Sequence, residues 1–464
     1  MNQILTFIKK IIPQPLFRKM QPVYHLVLNW LAAVWYGFPS NKLVVVGVTG
    51  TTGKTTTVFL MAELLRSVGW KVGYTSTAMF SDGRRDWLND KKMTMVGRFF
   101  TQKMLRRMVK NGCQIAIVET TSEGVAQNRH RFINYDLALF TGLYPEHLES
   151  HGGFENYKQA KLRLFKHLER CPRKNLPLAI ANLKNVKKTI IVNLDDEHVE
   201  EFLDFKVEKK IGFADKDKQG KVIENKLKTD QNLEVVWYKF LGANRQGVRF
   251  LFADTEVQLK ILGKFNALNA TAAGCVGRAL GLNNQEIKKG LERVKNLPGR
   301  LERIEEGQNF TVIVDYAFEP VAVSRLYETV EILQPKKIIH ILGSAGGGRD
   351  RWRRPKLGQI AGQRADYVVI TNEDPYDEDP AEIMAAVASG AKKAGKEKEK
   401  NLFLIADRRQ AIEKAISLAK EGDLVLITGK GSEQAIALAN GRLLPWDDRE
   451  VTREVLKKTK LGVR

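Results

Sequence analysis

Short runs of β-branched and aliphatic residues recur along the chain. Between them lie longer stretches in which apolar residues return every three or four positions. Leu43–Val48 is such a run, bounded by Gly50, and Thr55–Val68 after it has helical spacing. Gln114–Glu119, Asp136–Thr141 and Leu178–Asn182 repeat the strand pattern, and Leu262–Gly281 reads as an alanine-rich helix. Continuous apolar runs alternating with helices are what a parallel sheet covered on both faces requires. Leu297-Pro298-Gly299 predicts a linker. The alternation then resumes with strands at Thr311–Asp315, Lys337–Leu342, Tyr367–Thr371, Leu402–Ile405 and Leu424–Thr428. The Lys392–Lys400 charge run reads as a solvated helix end or loop. The expected fold is α/β throughout: a central domain over 43–298 with a mostly parallel sheet, then a Rossmann-like α/β domain over 299–464.

Residues 1–42 break this pattern. They contain no Asp or Glu, carry Lys9, Lys10, Arg18, Lys19 and Lys42, and hold a mostly apolar run from Val23 to Phe38 with His25 and Asn29 inside it. A membrane span needs about 20 apolar residues, so the run is short for one. It also lacks the small-residue cleavage site of a signal peptide. Two readings stay open: a basic apolar helix lying on a membrane surface, or a helix packed on the domain that follows.

Charge extends the picture. The 464 residues include 75 Lys+Arg against 53 Asp+Glu, a net charge of +22, which suits anionic partners such as nucleotides or lipid. No nucleic-acid-binding motif is present, so nucleic acid is not an expected partner. Cys113, Cys171 and Cys275 lie far apart, without metal-site spacing. That fits a reducing, cytoplasmic setting, with the inner face of the membrane as the place the leader would favour.

The chemistry starts at Val44–Thr57, where a strand passes through Gly50-Thr51-Thr52-Gly53-Lys54-Thr55-Thr56 into a helix. Phosphate binding needs that context, because backbone N–H groups at a helix start converge on an anion. Lys54 is expected on the β- and γ-phosphates and Thr55 on Mg²⁺. The strict G-x-x-x-x-G-K-[ST] pattern fails only at Val48. Glu119 then stands at the C-terminal end of a strand, where α/β folds place ligand groups. Glu146-His147-Leu148-Glu149 and His151 follow, and Lys161 lies in Tyr157-x-x-Ala160-Lys161-x-x-Leu164-Phe165. Each has a plain structural reading alone: a salt-bridged strand end, a satisfied loop histidine, a surface lysine.

Taken in order, these segments resemble the Mur ligases, the MurE branch most closely. That family carries T-G-T-x-G-K-T with Val or Ile at the Val48 place. Its E-x-S-S-H strand end corresponds to Glu119-Thr120-Thr121-Ser122-Glu123. Val192-Asn193-Leu194-Asp195-Asp196, Gly263–Asn269, Pro298-Gly299-Arg300-Leu301-Glu302, Val314-Asp315-Tyr316-Ala317, Gly343–Pro355 and Gly429-Lys430-Gly431-Ser432-Glu433 are similar to further family motifs, in order, to the C-terminus. The resemblance implies ATP, with Asn269 at the adenine and Arg300 and Asp315 along the nucleotide. It implies two Mg²⁺ ions on Thr55, Glu119, His147 and a Lys161 carbamylated by CO₂. Lys54, Glu119, His147 and Lys161 become the catalytic set. Thr94, Ser122 and Arg129 fall at a muramyl-peptide acceptor; Arg349, Glu373, Asp374, Gly429 and Glu433 fall at the incoming amino acid. The implied activity is an ATP-dependent carboxylate–amine ligase of peptidoglycan precursor synthesis, working through an acyl phosphate.

The resemblance breaks in three places. Only residues 1–42 precede the phosphate loop, too few for the family's N-terminal uridine-nucleotide domain, so a UDP-linked or a lipid-linked acceptor both stay open. The family's D-N-P-R motif reads Glu373-Asp374-Pro375-Tyr376, and the expectation is a pocket that attracts a basic amino acid such as lysine or ornithine over diaminopimelate. Phe318 stands for the His of D-Y-A-H, and Thr94-Met95-Val96 for T-T-P. Alternatives are a polyglutamate-type or MurT-like ligase, the latter weakened by the missing four-cysteine ribbon. A P-loop NTPase at a membrane or nucleic acid, without ligase activity, is the alternative of another class.

Overall fold

The structure is a computed structural model that describes residues 14–145, 152–176, 183, 185–218, 230 and 232–461. The expected strand Leu178–Asn182 and the segment with Glu146, His147 and His151 lie outside the described residues.

Eleven strands form the first sheet: β1 (Val44–Thr49), β2 (Val72–Thr75), β3 (Met79–Ser81), β4 (Asp86–Leu88), β5 (Ile115–Glu119), β6 (Leu137–Phe140), β7 (Thr189–Asn193), β8 (Lys209–Asp215), β9 (Leu233–Asn244), β10 (Gly247–Phe252) and β11 (Thr255–Leu259). Their order is β11-β10-β9-β8-β7-β6-β1-β5-β2-β3-β4. The run from β9 to β2 is parallel, and an antiparallel hairpin extends each end. Val44, Val46 and Val48 of β1 face the core under the helices Lys54–Ser67 and Phe265–Ala279, while Val45 faces the opposite core with Leu164 and Phe165. This period of two places hydrophobic residues on both faces, as a doubly covered sheet demands. Gly47 is needed there: a Cβ would stand 2.9 Å from the Tyr135 ring.

The second sheet contains β12 (Glu302–Arg303), β13 (Thr311–Val314), β14 (Ile338–Leu342), β15 (Tyr367–Ile370), β16 (Leu402–Leu404) and β17 (Leu424–Ile427), in the order β12-β13-β17-β14-β15-β16. It is parallel apart from β12. A small hairpin, β18 (Ala435–Ala437) with β19 (Leu443–Pro445), follows.

The helix Gln14–Trp35 precedes β1. Asn29, Ala32 and Ala33 are buried on one side, and the Asn29 amide donates to the Asn128 carbonyl at 2.9 Å. Val23, Val27, Trp30, Val34 and Trp35 are exposed. The helix packs on the domain through one face and leaves large apolar side chains exposed on the other. No helix among the described residues is long and apolar enough to cross a membrane.

Candidate functional site

Register brings the site together. Val48 of β1 pairs with Glu119 of β5, and Thr49 pairs with Phe140 of β6, so three strands end level where the phosphate loop leaves β1. The loop enters its helix through Gly53 at φ 80, a left-handed conformation that costs other residues about 1–2 kcal/mol. No side chain caps this helix; in a phosphate loop the anion takes that part. A Cβ on Gly50 would stand 2.0 Å from Thr141 Oγ1, and one on Gly53 2.4 Å from Asn269 Oδ1. The loop is thus clasped between the end of β6 and the helix that carries Asn269. The Asn269 amide in turn donates to Asn266 Oδ1 at 2.9 Å.

Lys54 Nζ donates to the Gly50 and Thr51 carbonyls at 2.9 and 2.7 Å, so its ammonium lies along the loop. Thr55 Oγ1 is 3.0 Å from both oxygens of Glu119. Glu119 also accepts from the Thr77 amide and hydroxyl at 2.9 Å each, and Thr77 Oγ1 reaches Thr94 Oγ1 at 2.8 Å. A continuous chain of oxygens therefore links the nucleotide loop to the expected acceptor residue Thr94.

Lys161 is not a surface lysine. It is 1% exposed, donates to the Gly50 carbonyl at 2.7 Å, and its Nζ lies 4.4 Å from the centre of the Tyr157 ring. The Tyr157 hydroxyl donates to Thr51 Oγ1 at 3.1 Å. Asn193 and Asp196 hold the chain leading toward His147, the first through the Thr141 carbonyl at 3.3 Å and the second through the Leu143 amide at 2.5 Å. Ser122 is buried at the start of the short helix Ser122–Ala126, and Arg129, half-buried, donates to the Met95 carbonyl beside Thr94.

In the second unit, Asp315 accepts from the Leu301 and Ala317 amides at 2.7 Å each, and the Arg300 guanidinium lies 4.1 Å from the centre of the Tyr316 ring. Burial raises the Asp315 pKa. Asp374 is 2.9 and 3.0 Å from Lys430 Nζ, and 2.5 Å from Lys92 Nζ. Glu433 pairs with Lys430 as well, and accepts from the Tyr316 hydroxyl at 3.1 Å. Gly429 packs against Glu373, which is fully buried. Arg349 is half-buried; burial opposes its charge, the Glu123 and Glu319 carboxylates favour it, and its pKa is raised on balance.

One expectation needs correction here. Asp374 and Glu433 do not stand as unopposed anions waiting for a substrate ammonium, because two lysines already neutralise them. Thr77, Lys92 and Lys430 were not singled out from the sequence. Lys430 sits inside the Gly429–Glu433 motif and was legible there. Thr77 and Lys92 carry no local signal.

Comparison with known proteins agrees with this layout. The model of the Mur ligase middle domain matches residues 48–277, and that of the Mur ligase glutamate ligase domain matches 299–431. A UDP-N-acetylmuramyl-tripeptide synthetase of Roseiflexus is 36% identical over 457 residues, covering 97% of this chain and 85% of that one. A UDP-N-acetylmuramoyl-L-alanyl-D-glutamate–2,6-diaminopimelate ligase of Halalkalibacterium halodurans is 32% identical, covering 92% of this chain and 81% of that one. In fold, a folylpolyglutamate synthase of Mycobacterium tuberculosis aligns with a TM-score of 0.63 at 17% identity, over 88% of this chain and 93% of that one. Matches that begin at the phosphate loop and continue through the second sheet have one meaning: the chain belongs to the Mur ligase family, enzymes that form amide bonds with ATP.

Proposed function

We propose that this ligase adds an amino acid to a muramyl-peptide acceptor in peptidoglycan precursor synthesis, with residues 43–298 carrying ATP and the acceptor and residues 299–464 carrying the amino acid. The observation that supports it most is the buried cluster in which Lys54, Thr55, Glu119 and Lys161 surround one phosphate loop while Glu119 connects through Thr77 to Thr94.

A carboxylate is a poor electrophile because its charge repels an incoming amine. The acceptor carboxylate oxygen takes the γ-phosphoryl group, ADP leaves, and an acyl phosphate results. The amine then attacks the acyl carbon, loses a proton, and expels phosphate. Lys54 swings from the loop carbonyls to neutralise the β- and γ-phosphates. Thr55 and Glu119 are hard oxygen donors already 3.0 Å apart, which suits Mg²⁺. On this reading they hold it with His147 and a carbamylated Lys161, two ions in all, and Mg²⁺ supplies the remaining charge neutralisation. A carbamate nitrogen keeps one hydrogen, so Lys161 can become an anionic oxygen donor and still donate to the Gly50 carbonyl. Asn269, Arg300 and Asp315 line the nucleotide, Ser122 and Arg129 the acceptor, and Arg349 the amino-acid α-carboxylate.

The setting is cytoplasmic, at the inner face of the membrane. Trp30 and Trp35 are exposed on the N-terminal helix, and Lys42 and Lys110 are exposed beside Val34 and Trp35. Aromatic side chains with a basic rim suit an anionic bilayer surface.

The test is ADP release with UDP-linked and lipid-linked muramyl dipeptides against a panel of amino acids, with products read by mass spectrometry. Turnover that needs both a carboxylate and an amine supports the reading. ATP hydrolysis indifferent to both sinks it.

A further inference from the structure

Lys92 belongs to the first α/β unit, on the loop between β4 and the helix Arg98–Lys110, yet its ammonium is buried against the second. Its Nζ lies 2.5 Å from Asp374 Oδ1 and 3.5 Å from Glu433 Oε2, and its side chain is 9% exposed. The residue holds a left-handed backbone, φ 49, which a lysine adopts only when its surroundings impose it. From the other side Lys430 pairs with the same two carboxylates. Two anions and two cations therefore close into a neutral cluster, bounded by the Tyr316 hydroxyl on Glu433 and the Ala437 amide on Asp374.

Three of the nearby arginines are committed elsewhere, and Arg349 is the one assigned above to the amino-acid α-carboxylate. Arg351 and Arg354 pair with Glu378 at 3.3 and 2.9 Å, and Arg353 pairs with Glu319 at 2.6 Å. Tyr376, beside Asp374 and Arg349, brings no charge of its own. Lys92 is the cation that the first unit supplies to this cluster.

We propose that Lys92 determines which amino acid this ligase takes: it neutralises the Asp374–Glu433 pair, so the pocket prefers a side chain ending in both an ammonium and a carboxylate to one ending in a bare ammonium. This rests on the ligase reading above. A lone ammonium entering the cluster stands beside two like charges or must displace Lys92. A zwitterionic end exchanges into it without net charge, its carboxylate on Lys92 and its ammonium sharing Asp374 and Glu433. Without Lys92, two carboxylates face one lysine, and a bare ammonium becomes the better guest.

The experiment is a one-pot competition between lysine and diaminopimelate, with the full chain, ATP and acceptor, and the two products counted by mass spectrometry. Wild type should give an excess of the diaminopimelate product. Lys92→Arg should keep that excess, and Lys92→Met should shift the product ratio toward lysine by about tenfold or more. The ratio is internal to one reaction, so a loss of stability or of domain closure lowers both products together and leaves it unmoved. A lysine excess in wild type, an unchanged ratio in Lys92→Met, or ligation only of some other amino acid overturns the proposal and leaves the ligase reading standing. No amide from any amino acid overturns the ligase reading itself.

Discussion

Glu373 gives the sharpest physical prediction. It is fully buried just beyond β15, with Oε2 lacking a hydrogen-bond partner and packed on Gly429. Burial first, and the neighbouring Asp374 charge second, push its carboxyl from 4.5 to about 7, against the opposing pull of Arg408, Arg353 and Lys430. The folded chain therefore keeps a proton that the unfolded chain has lost. The folded pKa is raised, so this stabilising contribution is full below about pH 4.5 and lost as pH rises through about 7. At ~1.4 kcal/mol per pH unit the whole difference is about 3 kcal/mol, of which about 2–3 kcal/mol falls between pH 5 and pH 8. Glu373→Gln removes the titration. Urea unfolding of wild type and variant, followed by circular dichroism at pH 5, 6, 7 and 8, should show the variant gaining about 2–3 kcal/mol on wild type across that range. Other titrating groups cancel in the difference, and any fixed cost of the amide shifts every point equally. A difference that stays constant with pH would refute the reasoning.

Three further outcomes are expected. Gly53→Ala forces a left-handed alanine against Asn269 Oδ1, 2.4 Å from the new Cβ, and should weaken binding of a non-hydrolysable ATP analogue by about tenfold or more in calorimetry; unchanged affinity would mean that the loop and Asn269 are not one nucleotide cradle. Lys161→Ala should be nearly inactive and partly rescued by a small added carboxylic acid, with bicarbonate depletion lowering wild-type turnover; rescue by an added amine instead would assign the lysine an ammonium role. Replacing Trp30 and Trp35 together by serine should abolish salt-sensitive binding to phosphatidylglycerol vesicles without lowering turnover on a soluble acceptor, since apolar insertion and about 1 kcal/mol per basic residue act together there; equal binding by both proteins would remove the membrane contact from the account.

What the sequence made legible was local. The strand before Gly50, the Gly53 turn and the helix after it form one contiguous pattern, and β1 and the helix Lys54–Ser67 lie where that pattern puts them. Glu119 was visible because a carboxylate closing a buried apolar run is unusual. The burial of Lys161 was not visible: its neighbours Tyr157 and Gly50 meet it only through the fold. The hairpin of β10 and β11 that extends the sheet was not read, since half-exposed antiparallel strands carry a weaker apolar signal than buried parallel ones. Lys92 lies 282 residues from Asp374, so the charge on the Glu373–Tyr376 motif was read without the cation that pairs with it. The leader resisted a single reading because the same helix buries Asn29 and Ala32 and leaves Trp35 exposed.

In the proposed mechanism ATP activates a carboxylate by phosphorylating it. An acceptor carrying ¹⁸O in its carboxylate, incubated with the enzyme, ATP and the amino acid, tests this in one turnover product. The account predicts inorganic phosphate that carries one ¹⁸O from the acceptor, released in step with ADP and the new amide. Unlabelled phosphate, or ¹⁸O recovered in AMP, would contradict it.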